Sequence, residues 1–446
     1  MNKKFLLLNN MNNHTKVLIL AAGKGKRMKS TKPKVLHELA GKSMIMHIID
    51  KCISSGLKDI YIVLGEQKQQ ILNTINNTKV KVINQKKQLG TADAINSAKK
   101  HLGDFNGRLL ILYGDMPLIK KETIKNIVNN TNNSFSLVGF ISENPKGYGR
   151  IIKKDKQIAV IEEKNASKEI KKVNLCYSGI LCGPNKEIYK SLSKIKKDIS
   201  TGEYLFTNIF SYLCESKKPI KILTYSEDEL MGINDREQLS YAEDLLQKRI
   251  KLYHLKNGVT LLAPNSIYIS SNVKIAKDVV LEPNVFLGNN VVLKANVRVK
   301  SNSYIEDSYI NSFSEVGPTC RIRKNTQLGK NVKVGNFVEI KNSKIGNNSK
   351  INHLAYIGDS KIGTSTNIGA GTITCNYDGI KKNKTIIGNN VFIGSNCSLI
   401  APVKIGNKSF IAAGSTISNN VDKNGFSIAR AKQQIIKNGR SKFLKV

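Results

Sequence analysis

The chain has 446 residues and a formal net charge of +38, from 71 Lys and Arg against 33 Asp and Glu; its length allows roughly two or three domains with a core that needs no disulfide or metal staple. Its cysteines, Cys52, Cys176, Cys182, Cys214, Cys320, Cys375 and Cys397, are odd in number and scattered without a C-x-x-C pair, which argues against a disulfide framework and a zinc site and fits a reducing cytoplasm. The lysines are spread among abundant Asn and Ile rather than clustered, so the charge reads as compositional drift with no nucleic-acid partner, although a positive field would also serve an anionic nucleotide.

Residues 1–15 read as a polar extension. Their M-N-K-K-F-L-L-L-N-N start is too short in apolar residues for a secretory core, and no run approaches the roughly 18 apolar residues of a membrane span, so no membrane insertion is expected. Residues 16–21 form a buried strand, and 22–34 a Gly/Lys loop. Residues 43–56 show helical spacing in Met44, Ile48, Ile49, Cys52 and Ile53, with Ser43 as N-cap and Gly56 as stop. Strands follow at 59–64 and 80–83, a short helix at 91–101, and a strand at 108–113 that ends on Gly114 and Asp115. This alternation predicts a doubly wound, mostly parallel α/β sheet with its ligand site at the C-terminal strand ends.

From Phe135 the rhythm becomes strand-rich. Strands at 150–153 and 158–162 flank a K-D-K turn, as in a substrate-covering subdomain. Helices are predicted at 203–214 and 235–253. In the latter, Leu239, Ala242, Leu245, Leu246, Ile250 and Tyr253 keep three/four spacing, which suits a linker helix over 237–258. The domains are therefore expected at 16–236 and 259–446.

Past Val259 the apolar residues recur every six positions. Val273, Val279, Val285, Val291 and Val297 form one row, and Ile275, Leu281, Leu287, Leu293, Val299 and Ile305 a second. Ile387, Ile393, Leu399, Ile405, Ile411 and Ile417 resume it near the end. A period of six is neither helical nor that of a hairpin, and each short rung buries one face only by stacking, so a β-solenoid is predicted. Steps of five occur at Ile305 to Ile310, Ile340 to Ile345 and Ile357 to Ile362. Between Ile368 and Ile387 the 19 residues are read as three rungs plus one, with the polar segment 375–384 ejected as a loop.

Five motifs carry chemistry in the first half. L-A-A-G-K-G-K-R-M, residues 20–28, with Pro33-Lys34 after it, follows a buried strand where glycines let backbone N–H groups approach phosphates. It is not a Walker A loop, because it lacks G-K-[ST] after four intervening residues, nor a G-x-G-x-x-G fingerprint, because Met28 replaces the third glycine, and alone it could be an ordinary strand–helix turn. The others are Gln85 with Gln88-Leu-Gly90-Thr91, Leu110 to Pro117 around Asp115, Gly147-Tyr-Gly149-Arg150, and Gly232-Ile-Asn234-Asp-Arg236. Asp115 is placed to hold Mg²⁺, or to cap a turn. In order and spacing the five resemble the sugar-1-phosphate nucleotidyltransferase family over residues 16–240. That resemblance implies attack of a sugar phosphate on the α-phosphorus of a nucleoside triphosphate with loss of pyrophosphate.

In the solenoid, Arg323 and Lys341 are 18 residues apart, one coil, and should stack; two stacked cations call for an anion such as phosphate, or are solvated surface charges. His353, expected one coil from Lys341, is a candidate base or a structural histidine. Around them stand V-G-N-F-V-E-I-K, H-L-A-Y-I-G-D and N-I-G-A-G-T-I-T-C-N-Y-D-G. Those strings, behind the nucleotidyltransferase motifs, resemble the bacterial family that joins an N-acetylglucosamine-1-phosphate uridylyltransferase to a glucosamine-1-phosphate acetyltransferase.

This resemblance implies an α/β Rossmann-like nucleotidyltransferase domain followed by a left-handed parallel β-helix of hexapeptide repeats, assembled as a homotrimer. It implies glucosamine 1-phosphate, acetyl-CoA and UTP as substrates, Mg²⁺ as cofactor, and UDP-N-acetylglucosamine, a precursor for peptidoglycan and lipopolysaccharide, as product. By motif, Leu20, Ala21, Ala22, Gly23, Lys34, Gln85, Gly90 and Thr91 would hold nucleotide and phosphates. Tyr113, Gly114, Gly149, Glu162 and Tyr177 would meet the sugar or uridine, and Arg27 would neutralise the triphosphate. Asp115 and Asn234 would ligate Mg²⁺. Arg323, Lys341, Tyr356 and Asn367 would bind glucosamine 1-phosphate, and His353 would be the base. Asn376 and Tyr377 would meet the reacting groups, while Ala370, Ser395, Ala413 and Arg430 would contact acetyl-CoA.

Two departures stand out. Tyr177 occupies the place of a sugar-binding Asn, with Asn174 three residues earlier, and R-I-R-K-N at 321–325 lacks the usual Pro-Gly. Two other classes compete: a nucleotidyltransferase whose solenoid only oligomerises or regulates, and a non-catalytic RNA-binding protein resting on charge.

Overall fold

The computed structural model describes residues 14–154, 157–199, 202–437 and 439–440. Most of the expected N-terminal extension, residues 1–13, and the centre of the K-D-K turn lie outside them. The chain divides between Leu246 and Gln247 into two compact units.

The first unit is built on a nine-stranded sheet. Its strands are β1 (Thr15–Leu20), β2 (Ile60–Leu64), β3 (Lys81–Asn84), β4 (Arg108–Tyr113), β5 (Phe135–Ile141), β6 (Arg150–Lys154), β7 (Gln157–Ile161), β8 (Leu175–Pro184) and β9 (Ile220–Tyr225). They lie in the order β9–β5–β8–β4–β1–β2–β3, with β6 and β7 as a hairpin attached to β8. β4, β1, β2 and β3 run parallel, and β8 is antiparallel to both β4 and β5.

Both faces are covered, which is why the strands read as continuous apolar runs. Val17 and Ile19 pack with Ile45, Ile48, Ile49 and Cys52 of the helix Met44–Ser54. Leu18 and Leu20 point the other way, against Ala94, Ile95 and Leu102. Ser43 holds the N-cap position of that helix without a side-chain cap bond, and Gly56 follows its end at φ 88°. The helix expected at 91–101 is broken into Thr91–Asn96 and Lys99–Leu102. The one expected at 203–214 shrinks to Ile209–Leu213 between two short 3-10 turns. The helix Arg236–Lys256 runs across the divide: Leu239, Ala242, Leu245 and Leu246 pack in the first unit, whereas Gln247 bonds both backbone groups of Ile269 in the second. No helix among the described residues is long and apolar enough to cross a membrane.

The second unit is a left-handed parallel β-helix with three sheets of ten, nine and eight strands. Up to the last strand of each sheet, strands pair in parallel with the one a full coil later: Leu281 with Val299, Leu287 with Ile305, Ile322 with Ile340. The two apolar rows lie inward, and a single core runs from Val259 to Ile417. Corners explain the six-residue rung. Asn284, Asn290, Asn296 and Asn302 sit six apart in the left-handed region, which Asn tolerates better than most residues. Their amides bond between coils, Asn284 Nδ2 to Asn302 Oδ1 at 3.1 Å and Asn272 Nδ2 to Asn290 Oδ1 at 2.9 Å.

The interruption after Ile368 corrects the sequence count. Ile362 pairs with Ile387, 25 residues on, whereas Ile387 pairs with Ile405 after the usual 18. The inward position between Ile368 and Ile387 is held by fully buried Thr374, a polar residue invisible to a search for apolar rows. The segment 368–387 is thus two rungs with seven extra residues, and the extra chain forms the loop between the strands Ile373–Cys375 and Thr385–Ile387.

Candidate active sites

In the first unit a cavity of about 800 Å³ opens beside the C-terminal ends of β1 to β4. Leu20, Ala21, Ala22 and Gly23 line it from the loop after β1, with Gln85, Gly90 and Thr91 from the loop after β3 and Tyr113 and Asp115 from the end of β4. Lys34 completes these expected lining residues from a 3-10 turn behind Pro33. Backbone packing dictates some identities. Gly90 has φ 107°, and a Cβ there would meet the Tyr204 carbonyl at 2.7 Å. A Cβ on Gly114 would press on Ala21, Val35 and Ile45 at 3.1 Å, so Gly114 serves close packing behind the cavity rather than its lining.

Several polar contacts hold the walls. Gln85 Nε2 donates to Asp93 Oδ2 at 2.7 Å, and Gln88 Nε2 to the Ala22 carbonyl at 2.7 Å. Gln88, Lys24, Lys26, Lys86 and Lys87 also line the cavity. Gln88 stood in the motif after β3 without a role, and the lysines were passed over because lysines are common throughout the chain; their positions after β1 and β3 were the available signal. The lining cations outnumber Glu66, Asp115 and Glu203, as an anionic ligand requires.

Asp115 and Asn234 converge on one cation. The Lys34 ammonium donates to Asp115 Oδ2 and, at 3.1 Å, to Asn234 Oδ1. Asn234 Nδ2 donates to the Gly232 carbonyl at 3.0 Å, which turns the amide oxygen toward that cation. One carboxylate and one amide oxygen form a hard donor pair that suits Mg²⁺ completed by phosphates and water.

The remaining expected residues are distributed. Arg27 is exposed and lines another cavity of about 480 Å³ with Asn234 and Tyr148. Gly149 lies against Glu162, whose Oε2 would be 3.8 Å from a Cβ there; Glu162 Oε1 accepts from Thr207 Oγ1 at 3.0 Å. Burial, then the Asp115 and Glu162 charges, push the Tyr113 hydroxyl well above its usual pKa. Tyr177 departs from its expected sugar contact. It is buried edge-on against Phe210, with its hydroxyl donated to the Gly179 carbonyl at 2.8 Å. Asn174 is exposed and immediately precedes β8.

In the second unit Arg323 and Lys341 are ladder partners, as their spacing predicted. An anion is already present for one of them: Glu339 Oε1 accepts from Arg323 Nε at 2.7 Å and Nη2 at 2.6 Å. Lys341 faces Lys382 of the loop. That contact, then burial and the Lys382 and Arg323 charges, lowers the Lys341 pKa, while Asp359 opposes the shift. Three neighbouring cations, Arg323, Lys341 and Lys382, against two carboxylates, Glu339 and Asp359, leave an electropositive site at the end of this strand row.

The expected place of His353 needs correction. The ladder partner of Lys341 is Gly358, whereas His353 pairs with Asn336 on another sheet, because twelve residues advance the chain by two sheets and not by a full coil. His353 therefore stands at a corner, followed by Tyr356 and Gly358 on the strand Tyr356–Gly358. A Cβ on Gly358 would meet both the Tyr356 hydroxyl and Asn376 Nδ2 at 2.6 Å, so Asn376 folds over this strand row. His353 Nδ1 lies 2.8 Å from Asn336 Oδ1, a partner that sequence reasoning missed although V-G-N-F contains it, 17 residues before the histidine.

The candidate acetyl-CoA residues line up with that corner. From Asn336 and His353 the column continues coil by coil through Ala370, Ser395 and Ala413. Backbone bonds join Asn396 N to Ala370 O at 2.7 Å and Gly414 N to Ser395 O at 2.8 Å, and Arg430 Nη1 donates to Ala413 O at 2.8 Å. Tyr377 is exposed in the loop with its hydroxyl on the Gly379 carbonyl at 2.6 Å. Asp378 clasps the loop through the amides of Ile380 and Lys381, which with Asn383 draw its pKa down to about 2. Asn367 stands apart from the cation row, paired with Lys350 and Phe392 inside the ten-stranded sheet.

Comparison with known proteins bears on both units. Residues 17–158 match the MobA-like NTP transferase domain, 304–377 the GMPPB C-terminal domain, and 384–419 the bacterial transferase hexapeptide of six repeats. A bifunctional protein GlmU of Staphylococcus epidermidis is 40% identical over 93% of this chain and 97% of its own. One from Clostridium botulinum is 39% identical over 93% and 96%, and one from Staphylococcus haemolyticus 38% over 93% and 97%.

Proposed function

The chain belongs to the family of bifunctional GlmU proteins, and we propose how its own residues divide the two transfers of that family. It acetylates glucosamine 1-phosphate from acetyl-CoA, then joins the N-acetylglucosamine 1-phosphate to UMP from UTP, releasing pyrophosphate and UDP-N-acetylglucosamine, a precursor for the cell wall. We assign the uridylyl transfer to residues 16–236 and the acetyl transfer to 259–446, with 237–258 as linker.

For uridylyl transfer, the 800 Å³ cavity holds UTP. Ala21 to Gly23 and Gly90-Thr91 bring backbone close to nucleotide and phosphates, while Lys34 and Arg27 balance triphosphate charge. Mg²⁺ on Asp115 and Asn234 would supply further charge neutralisation at the phosphates. Glu162 and Gly149, just past β7 and just before β6, meet the sugar side. Phosphoryl chemistry of this kind depends on positioning and cations rather than on a nucleophilic side chain.

For acetyl transfer, the sugar phosphate lies along the strand Tyr356–Gly358, its phosphate toward Arg323, Lys341 and Lys382 and its amine toward His353. The Asn336 oxygen only accepts, so His353 Nδ1 carries the proton and Nε2 is left as the base. His353 Nε2 takes a proton from the amine as its nitrogen attacks the thioester carbonyl, and CoA leaves. Asn376 and Tyr377 lie beside the reacting groups, and the column from Ala370 to Arg430 carries acetyl-CoA.

Exposed Phe337 and Leu354, one coil apart on the His353 corner, support a homotrimer in which neighbouring solenoids cover that edge. Seven free cysteines support a cytoplasmic setting. The observation that carries the acetyl reading is the alignment of His353 with the Ala370, Ser395 and Ala413 column. Its test is to incubate glucosamine 1-phosphate, acetyl-CoA, UTP and Mg²⁺ and to leave out one component at a time. Without acetyl-CoA, no UDP-N-acetylglucosamine should form, yet supplying N-acetylglucosamine 1-phosphate should restore it. A protein that never acetylates would instead be a uridylyltransferase with a structural solenoid.

A further inference from the structure

The contact of Lys34 with Asp115 and Asn234 carries a consequence for the order of ligand entry, and it rests on the reading of those two residues as metal ligands. Both donor oxygens are committed to the Lys34 ammonium. The Lys34 and Asp115 side chains are only 14% and 17% exposed, so charges there are poorly screened. A divalent cation bound by the same two oxygens would face that ammonium at close range, and the two cannot share the position.

The backbone around Lys34 is held while the ammonium has room to move. Pro33 precedes it and a 3-10 turn contains it. Gly25 sits in the left-handed region at φ 58°, and a Cβ there would lie 2.7 Å from the Lys34 Cβ, so the loop is wrapped tightly on the base of this side chain. Beyond that base the side chain borders the cavity shared with Ala22, Gly23 and Lys24. Rotation about its outer bonds would carry the charge from Asp115 into this space.

We infer that Lys34 is a resident counter-ion that the metal must displace, so that metal entry releases the Lys34 ammonium to the nucleotide phosphates. The displaced ammonium needs a new anion, and the triphosphate supplies one. Metal and nucleotide therefore bind with positive cooperativity, and the nucleotide-free protein holds metal more weakly than its donor pair alone would allow.

Mn²⁺ binding to the full-length, nucleotide-free protein, read by electron paramagnetic resonance, tests this without any turnover. Lys34→Met should bind Mn²⁺ about tenfold more tightly than the native chain, whereas Lys34→Arg should show no tightening. Equal or weaker binding by Lys34→Met, with binding lost in Asp115→Ala, overturns the counter-ion role and leaves the metal ligands standing. Undiminished binding by Asp115→Ala removes the metal reading itself, and the inference with it. A second measurement needs no variant: Mg²⁺ should raise the reductive methylation of Lys34 in the native protein, read by peptide mass spectrometry, and an unchanged extent contradicts release of the side chain.

Discussion

Leu20, Gln85, Tyr113 and Asp115 reach one cavity from strand ends far apart in sequence, whereas Arg323, Lys341 and Gly358 follow one another along a single ladder. In the first unit the order of the parallel strands does the gathering, and each lining residue depends on its own loop. In the second, register does it: a residue's place is set by how many coils precede it. The contrast teaches that the two sites should fail differently. Damage to the sheet site stays at one residue, while damage to the solenoid core propagates to every column stacked on it.

The largest expected effect comes from removing the base at the corner. His353→Ala should slow acetyl transfer by about 10²- to 10⁴-fold, followed by thiol release from acetyl-CoA, with uridylyl transfer unchanged. Retained acetylation would return His353 to a structural role.

Next is the core beneath the cation row. Ile340 is fully buried and pairs with Ile322 and Ile357. Ile340→Ala should cost about 2–5 kcal/mol in chemical denaturation of the solenoid, through lost burial and the cavity left behind. Acetyl transfer should fall with it, because Lys341 and Glu339 flank the substituted residue. An unmoved transition would mean that the coils do not act as one cooperative stack.

The first unit has its own sensitivity, to acid. His47 is buried with Nε2 at 2.8 Å from the Leu39 carbonyl, and burial lowers its pKa from the usual 6.5 to about 4. The folded state therefore binds its proton less readily than the unfolded state. Stability is whole above pH 6.5 and declines as pH falls from 6.5 toward about 4, by roughly 3 kcal/mol if His47 alone contributes. Thermal unfolding followed across that interval, in the native chain and in His47→Gln, should show a steeper decline in the native chain. Parallel curves would exclude this origin.

The smallest effect concerns corners. Asn290 is left-handed at φ 57° and donates to Asp307 Oδ1 at 2.8 Å. Asn290→Ala should lower solenoid stability by about 1–2 kcal/mol, and Asn290→Gly by less. Alanine equal to glycine in a melting experiment would argue against a conformational cost.

Much of this was legible in the residues. The rows through Leu281 and Ile387 disclosed the solenoid because inward positions recur with the coil. The runs 16–21 and 108–113 disclosed a sheet covered on both faces. What escaped was whatever did not carry an apolar mark. Thr374 took an inward position, so the loop read at 375–384 was placed correctly but its seven extra residues were counted as one. Asn corners every six residues were as regular as the valines but went unread. His353 was assigned to the wrong neighbour because its twelve residues from Lys341 make two rungs, one short of the three in a coil. Tyr177 looked like a sugar contact, yet its ring completes the core beside Phe210. Gln88 and Lys34 show the limit most clearly: only a folded chain could show that one grips the Ala22 carbonyl and the other occupies the oxygens of Asp115 and Asn234.

Two chemistries housed in separate units are tested most directly by assaying both half-reactions in His353→Ala and in Asp115→Asn. Each variant should lose one transfer and keep the other, and N-acetylglucosamine 1-phosphate made by Asp115→Asn should be converted to UDP-N-acetylglucosamine by His353→Ala. Loss of both transfers in either variant, or of neither in both, would contradict the division of labour.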